Sequence, residues 1–444
     1  MSGNKLTALA LLSLLGAASA ASGQGLGNSP YSRLGLGDFN PNAGGVRQQG
    51  MGGVGLAAPN AIQINELNPA LLYYTSRTTY EAAFTGQLKQ LRSNTASQRT
   101  GSGTLGYLAL GIPISRSWAL AAGLKPLSAV DYESVVTRNV DGSTGALVRN
   151  ESTGSGGLSE VYLGHGVRVG KGLSVGVTTS YIFGNIDRAA YAIVQPPLEE
   201  QEPDEILKRV GTVDRTKYTD FSFRTGVHYR YDLSKKIAAN VAAVYTFGTN
   251  LNGRRTLLQE TQDINGTNLQ EPRVLQNEAR GEAVLPGSLQ LGVSFDNNKN
   301  WSLSADVAQQ RWSKYRDFNG TQQVFNDTWR VGIGGELAPD PGSVTNYFQR
   351  VTYRFGLSAA QLPYRPGGQT LYDRAVSWGF SFPFPTSSAL EATNMNLSFT
   401  YGQRGNTEVV SEGTTRFSNI KENYVRVQLG VSLNSRWFLK RRIE

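Results

Sequence analysis

From Thr78 onward the chain alternates apolar and polar residues with a period of two, segment after segment. Trp301, Leu303, Ala305 and Val307 fall on one parity, and Ser302, Ser304, Asp306 and Ala308 on the other. Val351, Tyr353, Phe355 and Leu357 oppose Thr352, Arg354, Gly356 and Ser358. Val425, Val427, Leu429, Val431 and Leu433 oppose Arg426, Gln428, Gly430, Ser432 and Asn434. Phe221, Phe223, Val227, Tyr229 and Tyr231 oppose Asp220, Ser222, Arg224, His228 and Arg230. Successive residues of an extended strand point to opposite faces, so every such segment needs two different environments at once. About fourteen segments of this kind can be read, at 78–93, 101–114, 117–136, 156–170, 172–190, 214–233, 235–252, 280–296, 300–316, 324–338, 346–360, 371–384, 393–404 and 420–435, an even number of the size that membrane barrels use. A soluble β-sandwich alternates too, with its apolar parity on a core. It does not ordinarily need so many strands in one closed meander.

The connections carry a second signal. Tight turns at Ser115-Arg116-Ser117, Gly170-Lys171-Gly172, Leu233-Ser234-Lys235 and Asn297-Asn298-Lys299-Asn300 follow even-numbered segments. Longer loops near 137–155, 191–213, 253–279 and 405–419 follow odd-numbered ones. Short turns on the periplasmic rim and longer loops outside are the pattern of an outer-membrane barrel.

Composition removes several alternatives. After the first twenty residues no run approaches the ~20 consecutive apolar residues of a membrane helix, whereas a barrel needs only every second strand residue to be lipophilic. The 51 glycines disfavour long helices. With no cysteine there is no disulfide framework, lipoprotein anchor or thiolate metal site. The net charge is +9, but Lys and Arg are spread along the chain without the basic stripe of a nucleic-acid binder. Lys5, the apolar stretch Leu6 to Ala17 and Ala18-Ser19-Ala20 form an export signal over 1–20. Residues 21–77 hold Gly44-Gly45, Gly52-Gly53, Pro30, Pro41, Pro59 and Pro69, poor strand material. They also hold Leu34, Leu36, Phe39, Met51, Val54 and Leu56, enough apolar surface to pack as a compact hatch inside something larger. The expected organisation is therefore a signal at 1–20, a hatch at 21–77, an all-β transmembrane barrel at 78–436 and a basic periplasmic tail at 437–444.

Several stretches resemble the FadL-type family of outer-membrane transporters for hydrophobic compounds. Ile64-Asn65-Glu66-Leu67-Asn68-Pro69-Ala70 is similar to the Asn-Pro-Ala element of that family's hatch, and Leu285-Pro286-Gly287-Ser288-Leu289 to its Leu-Pro-x-Ser strand. Arg311-Trp312-Ser313-Lys314-Tyr315, Trp329-Arg330-Val331-Gly332, Tyr353-Arg354-Phe355-Gly356 and Asp373-Arg374 follow in matching order. The resemblance covers roughly 45–75 and 280–435, and is weak over 137–280. The opening Asn28-Ser29-Pro30-Tyr31 and the ending Trp437-Phe438-Leu439-Lys440 resemble Bacteroidetes members. The resemblance implies a fourteen-stranded monomeric barrel with a hatch in its lumen, set among outer-membrane lipids, and passive uptake of a hydrophobic ligand such as a long-chain fatty acid or hydrocarbon. It also implies a kink in the third strand that opens a lateral exit. Here that strand reads Ala121-Ala122-Gly123-Leu124-Lys125-Pro126-Leu127. Pro126 lacks the N–H that a ladder needs and Gly123 permits a bend, so either a lateral gap or a plain bulge belongs there.

The inward parity places Asp220, Arg224, His228, Arg230, Asp306, Arg330, Arg354 and Arg426 in the lumen. The candidate transport path is Asn68, Pro69 and Ala70 of the hatch, Gly123 and Pro126 at the kink, and Arg224, Arg330, Arg354 and Arg426. An arginine can grip a ligand carboxylate with two hydrogen bonds. The same residues also suit a salt-bridged lumen that binds nothing. Catalysis is not expected: His165 and His228 sit in no nucleophile motif, and no phosphate-binding, dinucleotide or metal signature calls for a cofactor. The competing role is that of a partner or shuttle subunit of a protein secretion or assembly machine, resembling one in type IX secretion. A continuous apolar tunnel from the outer loops to the third strand favours transport, and a sealed lumen under large ordered loops favours the partner role. The processed chain is expected to require detergent. Size-exclusion chromatography without it should return aggregates, and a compact dissolved species would overturn the barrel.

Overall fold

The computed structural model describes residues 28–39, 44–139, 145–196, 207–385, 392–412 and 415–435. The expected signal at 1–20 and tail at 437–444 lie outside them. Backbone pairing closes the alternating segments into a fourteen-strand antiparallel barrel. The strands are β2 (Thr78–Arg92), β3 (Ser97–Pro113), β4 (Trp118–Asn139), β5 (Leu147–Arg168), β6 (Leu173–Gln195), β7 (Lys208–Asp232), β8 (Ala238–Thr246), β9 (Thr249–Asp263), β10 (Arg273–Leu285), β11 (Ser288–Asp296), β12 (Trp301–Gln310), β13 (Thr328–Leu337), β14 (Thr352–Gln361), β15 (Tyr372–Phe384), β16 (Ala392–Arg404) and β19 (Lys421–Ser435). A two-residue strand, β1 (Asp38–Phe39), precedes them, and a small hairpin of β17 (Val409–Glu412) and β18 (Thr415–Ser418) lies outside the wall. The barrel closes where β19 pairs with β2, from Lys421 opposite Arg92 to Ser435 opposite Thr78. β8 and β9 are one wall strand broken at Phe247-Gly248, since both pair with β7. β10 and β11 are likewise one strand, broken at Pro286-Gly287 where proline removes a ladder donor.

The parity expected from the sequence is kept. Leu163, Val177, Phe221, Tyr229, Leu303, Phe355, Tyr401 and Leu429 are exposed on the outside. Glu81, Gln87, Lys125, Glu160, Arg354, Arg426 and Gln428 are buried on the inside. That inversion of a soluble protein suits acyl chains outside and an enclosed polar lumen.

Three expectations need correcting. The stretches near 137–155, 191–213 and 253–279 are mostly strand among their described residues: β4, β5, β6, β7, β9 and β10 run into them. β4 to β7 are 22, 22, 23 and 25 residues long, against 10 for each of β12, β13 and β14. At ~3.3 Å per residue the longer strands extend roughly 40 Å beyond the shorter ones, as a tall half-wall over the outer rim. Beyond the bilayer no lipid selects one apolar face, so the alternation fades while the ladder persists. The segments read as 300–316 and 324–338 are strand only at Trp301–Gln310 and Thr328–Leu337. Between them a short 3-10 turn at Trp312–Lys314 and buried Phe325 dive into the interior. Finally, 346–350 is helical rather than extended: Asn346 caps α2 (Tyr347–Arg350), accepting a hydrogen bond from the Phe348 N–H at 3.0 Å. Val351 is buried, not lipid-facing.

Residues 44–77 fill the lumen. Asn65 Oδ1 accepts hydrogen bonds from the N–H groups of Leu67 at 2.9 Å and Asn68 at 3.1 Å. Asn68 Oδ1 in turn accepts from Ala70 at 2.9 Å, capping the 3-10 helix Pro69–Tyr74, while its amide donates to the Leu56 carbonyl at 3.0 Å. The wall meets this fold with glycine. A Cβ on Gly356 would lie 2.1 Å from the Met51 carbonyl carbon, one on Gly334 2.2 Å from the Met51 oxygen, and one on Gly226 2.2 Å from Asn68 Oδ1. The obstructing atoms at Gly334 and Gly356 are backbone and cannot swing aside. Above this layer, Leu36, Val130, Leu158, Ile182, Trp312, Tyr315 and Tyr364 form an apolar cluster inside the half-wall. Gly356→Val should therefore loosen the hatch by roughly 1–3 kcal/mol. A drop in the midpoint of thermal unfolding followed by near-UV dichroism is the expected result.

Candidate functional site

The polar wall grips the hatch at several levels. Arg47, on the short helix α1 (Val46–Gln49), donates to Glu336 of β13 at 2.6 Å, and Arg354 of β14 donates to the other carboxylate oxygen at 3.0 Å. Across the lumen Lys125 of β4 lies 3.4 Å from both Glu66 of the hatch and Glu160 of β5, and Tyr162 donates to Glu66 at 3.0 Å. Glu81 accepts from the Ile64 N–H and from Tyr107, each at 3.0 Å. Asp306 accepts from the N–H groups of Gly55 at 2.7 Å and Leu56 at 2.9 Å. Glu336 with Arg47 and Arg354, and Lys125 with Glu66 and Glu160, are matched charges, so losing one partner strands the other in a dry interior, whereas Glu81 and Asp306 are held by N–H and O–H donors alone.

The candidate path residues are distributed across this seam. Asn68, Pro69 and Ala70 lie against the glycines of β5, β6 and β7. Arg224 donates to the Glu66 carbonyl at 3.1 Å, and Arg330 to the carbonyls of Gly52 and Gly53. Arg354 holds Glu336, and Arg426 donates to Gln87 at 3.1 Å. The four arginines are thus engaged by hatch or wall. Gly123 pairs with Ala109 and Tyr162, and a Cβ there would strike the Leu108 carbonyl at 2.6 Å. Pro126 marks a bulge: it faces Ser159, while Ser128 faces Leu158. The buried parity of β4 switches there from Ala119, Ala121 and Lys125 to Ser128, Val130 and Tyr132, the expected result of one extra residue in a ladder. His228 is buried between Ser174 and Asn240, 3.3 Å from each, and His165 stacks on Trp118 on the outer surface. Among the described residues no group of His, Asp and Glu could hold a metal ion.

Sequence reasoning did not single out Glu66, Lys125, Glu160, Glu81, Arg47 or Glu336. The wall members of that set sit on the inward parity of their strands, which was a usable signal. Nor did it find the residues that fasten the N-terminal segment. Arg404 of β16 donates to Asp38 at 2.5 Å and lies 3.4 Å from Asp373. Burial pushes the Tyr31 phenol up, with Glu422 adding to it, so it stays protonated and donates to the Ile420 carbonyl.

Between hatch and roof lies a chamber of about 230 Å³. Phe39, Leu127, Ile182 and Trp312 form its apolar side, and Arg224 and Arg330 border it below. Where Glu66, Pro69, Lys125, Glu160 and Tyr162 converge between hatch and wall, a separate small pocket holds about 10 Å³, no more than one water needs.

A closed barrel with a lipid belt outside and a hatch bolted inside defines a plugged outer-membrane protein of the FadL-type fold. The family model BamG matches residues 5–444, and the chain belongs to the BamG family. No curated protein matches it. Among solved structures it is similar to the Pseudomonas putida toluene transporter TodX, at 16% identity and a TM-score of 0.56 over 89% of this chain and 99% of that one. It is similar to the CymD monoaromatic hydrocarbon channel at 17% identity and a TM-score of 0.54, over 90% and 99%. A Pseudomonas aeruginosa FadL homologue is 12% identical, with a TM-score of 0.55 over 91% and 100%. At these identities they share the fold. Glu336→Ala should strand Arg47 and Arg354 and destabilise the hatch by roughly 3–5 kcal/mol. Faster amide hydrogen exchange across 46–58, with the β19–β2 seam still protected, is the expected readout.

Proposed function

We propose that this barrel serves as a partner subunit of an outer-membrane protein assembly or secretion machine, presenting its tall half-wall and lateral edge to other proteins. The observation that carries this reading is the seal. The hatch backbone touches the wall backbone at Gly334 and Gly356, and Arg224, Arg330, Arg354 and Arg426 each make a bond to hatch or wall, although Arg224 Nε, Arg354 Nη1 and Arg426 Nη1 keep no partner. Above the hatch, strands rather than loose loops build the outer structure, a rigid surface of paired backbone.

A second reading is passive uptake of hydrophobic compounds, long-chain fatty acids included. The chamber of about 230 Å³ with an apolar side and three bordering arginines, Arg224, Arg330 and Arg404, favours it, as do the channels and transporters of the same fold. In that reading a ligand descends past Asn68, Pro69 and Ala70, with Arg224, Arg330, Arg354 or Arg426 taking an anionic head, and leaves through the wall beside Gly123 and Pro126. The hatch would have to rearrange first.

Depleting the protein in its host separates the two. The partner role predicts that levels of other outer-membrane proteins fall while uptake of labelled oleate and toluene is unchanged. Lost uptake with a normal outer-membrane proteome would overturn it. Pro126→Val should then lower uptake only if the transport reading holds.

A further inference from the structure

The ladder between β3 and β4 covers Leu108 to Pro113 and Ala119 to Leu124. Above it the two strands part. β4 takes the N-terminal segment instead: the Ser29 N–H donates to the Asp131 carbonyl at 2.8 Å, the Asp131 N–H to Ser32 Oγ at 3.0 Å, and Asp38 and Phe39 pair with Ala129 and Ser128. This segment is tied on its other side to β16 and to the start of β19, the strand next to β2, by Arg404 and by the bonds of Tyr31 to Ile420 and Ser29 to Glu422. β3 runs on from Tyr107 up to Ser97 bonded to β2. Among the described residues nothing pairs with its other edge.

That edge lies at lipid depth. Leu105 stands opposite Phe84 and Gly101 opposite Leu88, and Phe84 and Leu88 point outward, 51% and 67% exposed. Hydrocarbon offers backbone N–H and C=O groups no partner, and open sheet edges do not occur in it. An acyl chain cannot supply those hydrogen bonds, and β4 is committed to residues 28–39. The upper end of the edge, at Ser97 and Gln98, borders a groove of about 1010 Å³ whose other sides are Asn28, Leu34 and Tyr132 and also Phe325, Tyr364 and Leu371.

From the partner reading above, on which this step rests, we propose that the open edge of β3, from Ser97 to Tyr107, is a docking site for a β-strand of a partner outer-membrane protein. The strand joins β3 by backbone hydrogen bonds, as in β-augmentation. Its outward side chains are apolar and continue the rows of Phe84 and Leu88; its inward ones face the groove.

The chain has no cysteine, so Arg99→Cys, on the exposed part of this edge, carries a single fluorophore in the full-length protein in nanodiscs. The probe is a synthetic ten-residue peptide alternating valine and threonine with a nitroxide quencher. Saturable quenching is expected, with at least ~10-fold weaker binding when alternate peptide nitrogens are methylated, since pairing needs their N–H groups. A label at Gln403→Cys, on β16 between two paired neighbours, should show no saturable quenching. Equal binding of both peptides would mean greasy adsorption and would overturn the proposal, as would binding of neither. Disulfide-linked dimers of the unlabelled Arg99→Cys protein, formed in detergent under an added thiol oxidant and in place of peptide binding, would assign the edge to a second copy and overturn it too. The depletion experiment judges the partner reading separately, so failure of the edge leaves that result standing.

Discussion

The structure depends on one requirement: every backbone N–H and C=O at acyl depth must find a partner within the protein. A cylinder meets it by joining its first strand to its last, and β2 and β19 do so over their whole length. Once the backbone is closed, side chains are free to follow solvent rather than fold. They alternate between lipid outside and a crowded polar interior inside. The place where the requirement is met least well, the upper half of β3, is for that reason the most informative part of the wall.

The interior is organised by contact rather than by volume. Glycines on the inward parity let the hatch backbone touch the wall backbone, and the charged residues then fall at the points where the two surfaces meet. The result is a hatch held by steric fit and by matched ion pairs together. Steric fit fixes position, since a Cβ at Gly334 or Gly356 has nowhere to go. The ion pairs add a penalty for leaving, because Glu336, Arg47 and Arg354 are buried together. A lumen built in this way differs from a water-filled pore, and it directs attention to the outer structure and to the lateral edge.

Much of this was legible in the sequence. Period-two alternation located the fourteen strands because lipid imposes it, the Gly- and Pro-rich apolar stretch before Thr78 pointed to a hatch, and Pro126 pointed to a lateral gap or a bulge, of which the ladder shows the bulge. Three things were not. The tall strands above the bilayer lose the alternation, so they read as loops although they remain hydrogen-bonded to their neighbours in ladders. Inward glycines such as Gly226 and Gly356 carry no hydropathy signal, and only their recurrence on the polar parity could have betrayed a close neighbour. The pairing of Asp38 and Phe39 with β4 joins residues about ninety positions apart, and no local pattern encodes such a contact. Arg354 was placed correctly in the lumen, but parity alone could not tell that its carboxylate partner is Glu336.

The seam between β2 and β19 also bears on the hatch. The residues that become the hatch precede every wall strand in the chain, and the strand that completes the wall is nearly the last to be synthesised. The stopper in turn is tied to strands on both halves of the ring, to β13 and β14 through Arg47 and to β4 and β5 through Glu66. Contents and container therefore brace each other: what fills the cylinder also spans it.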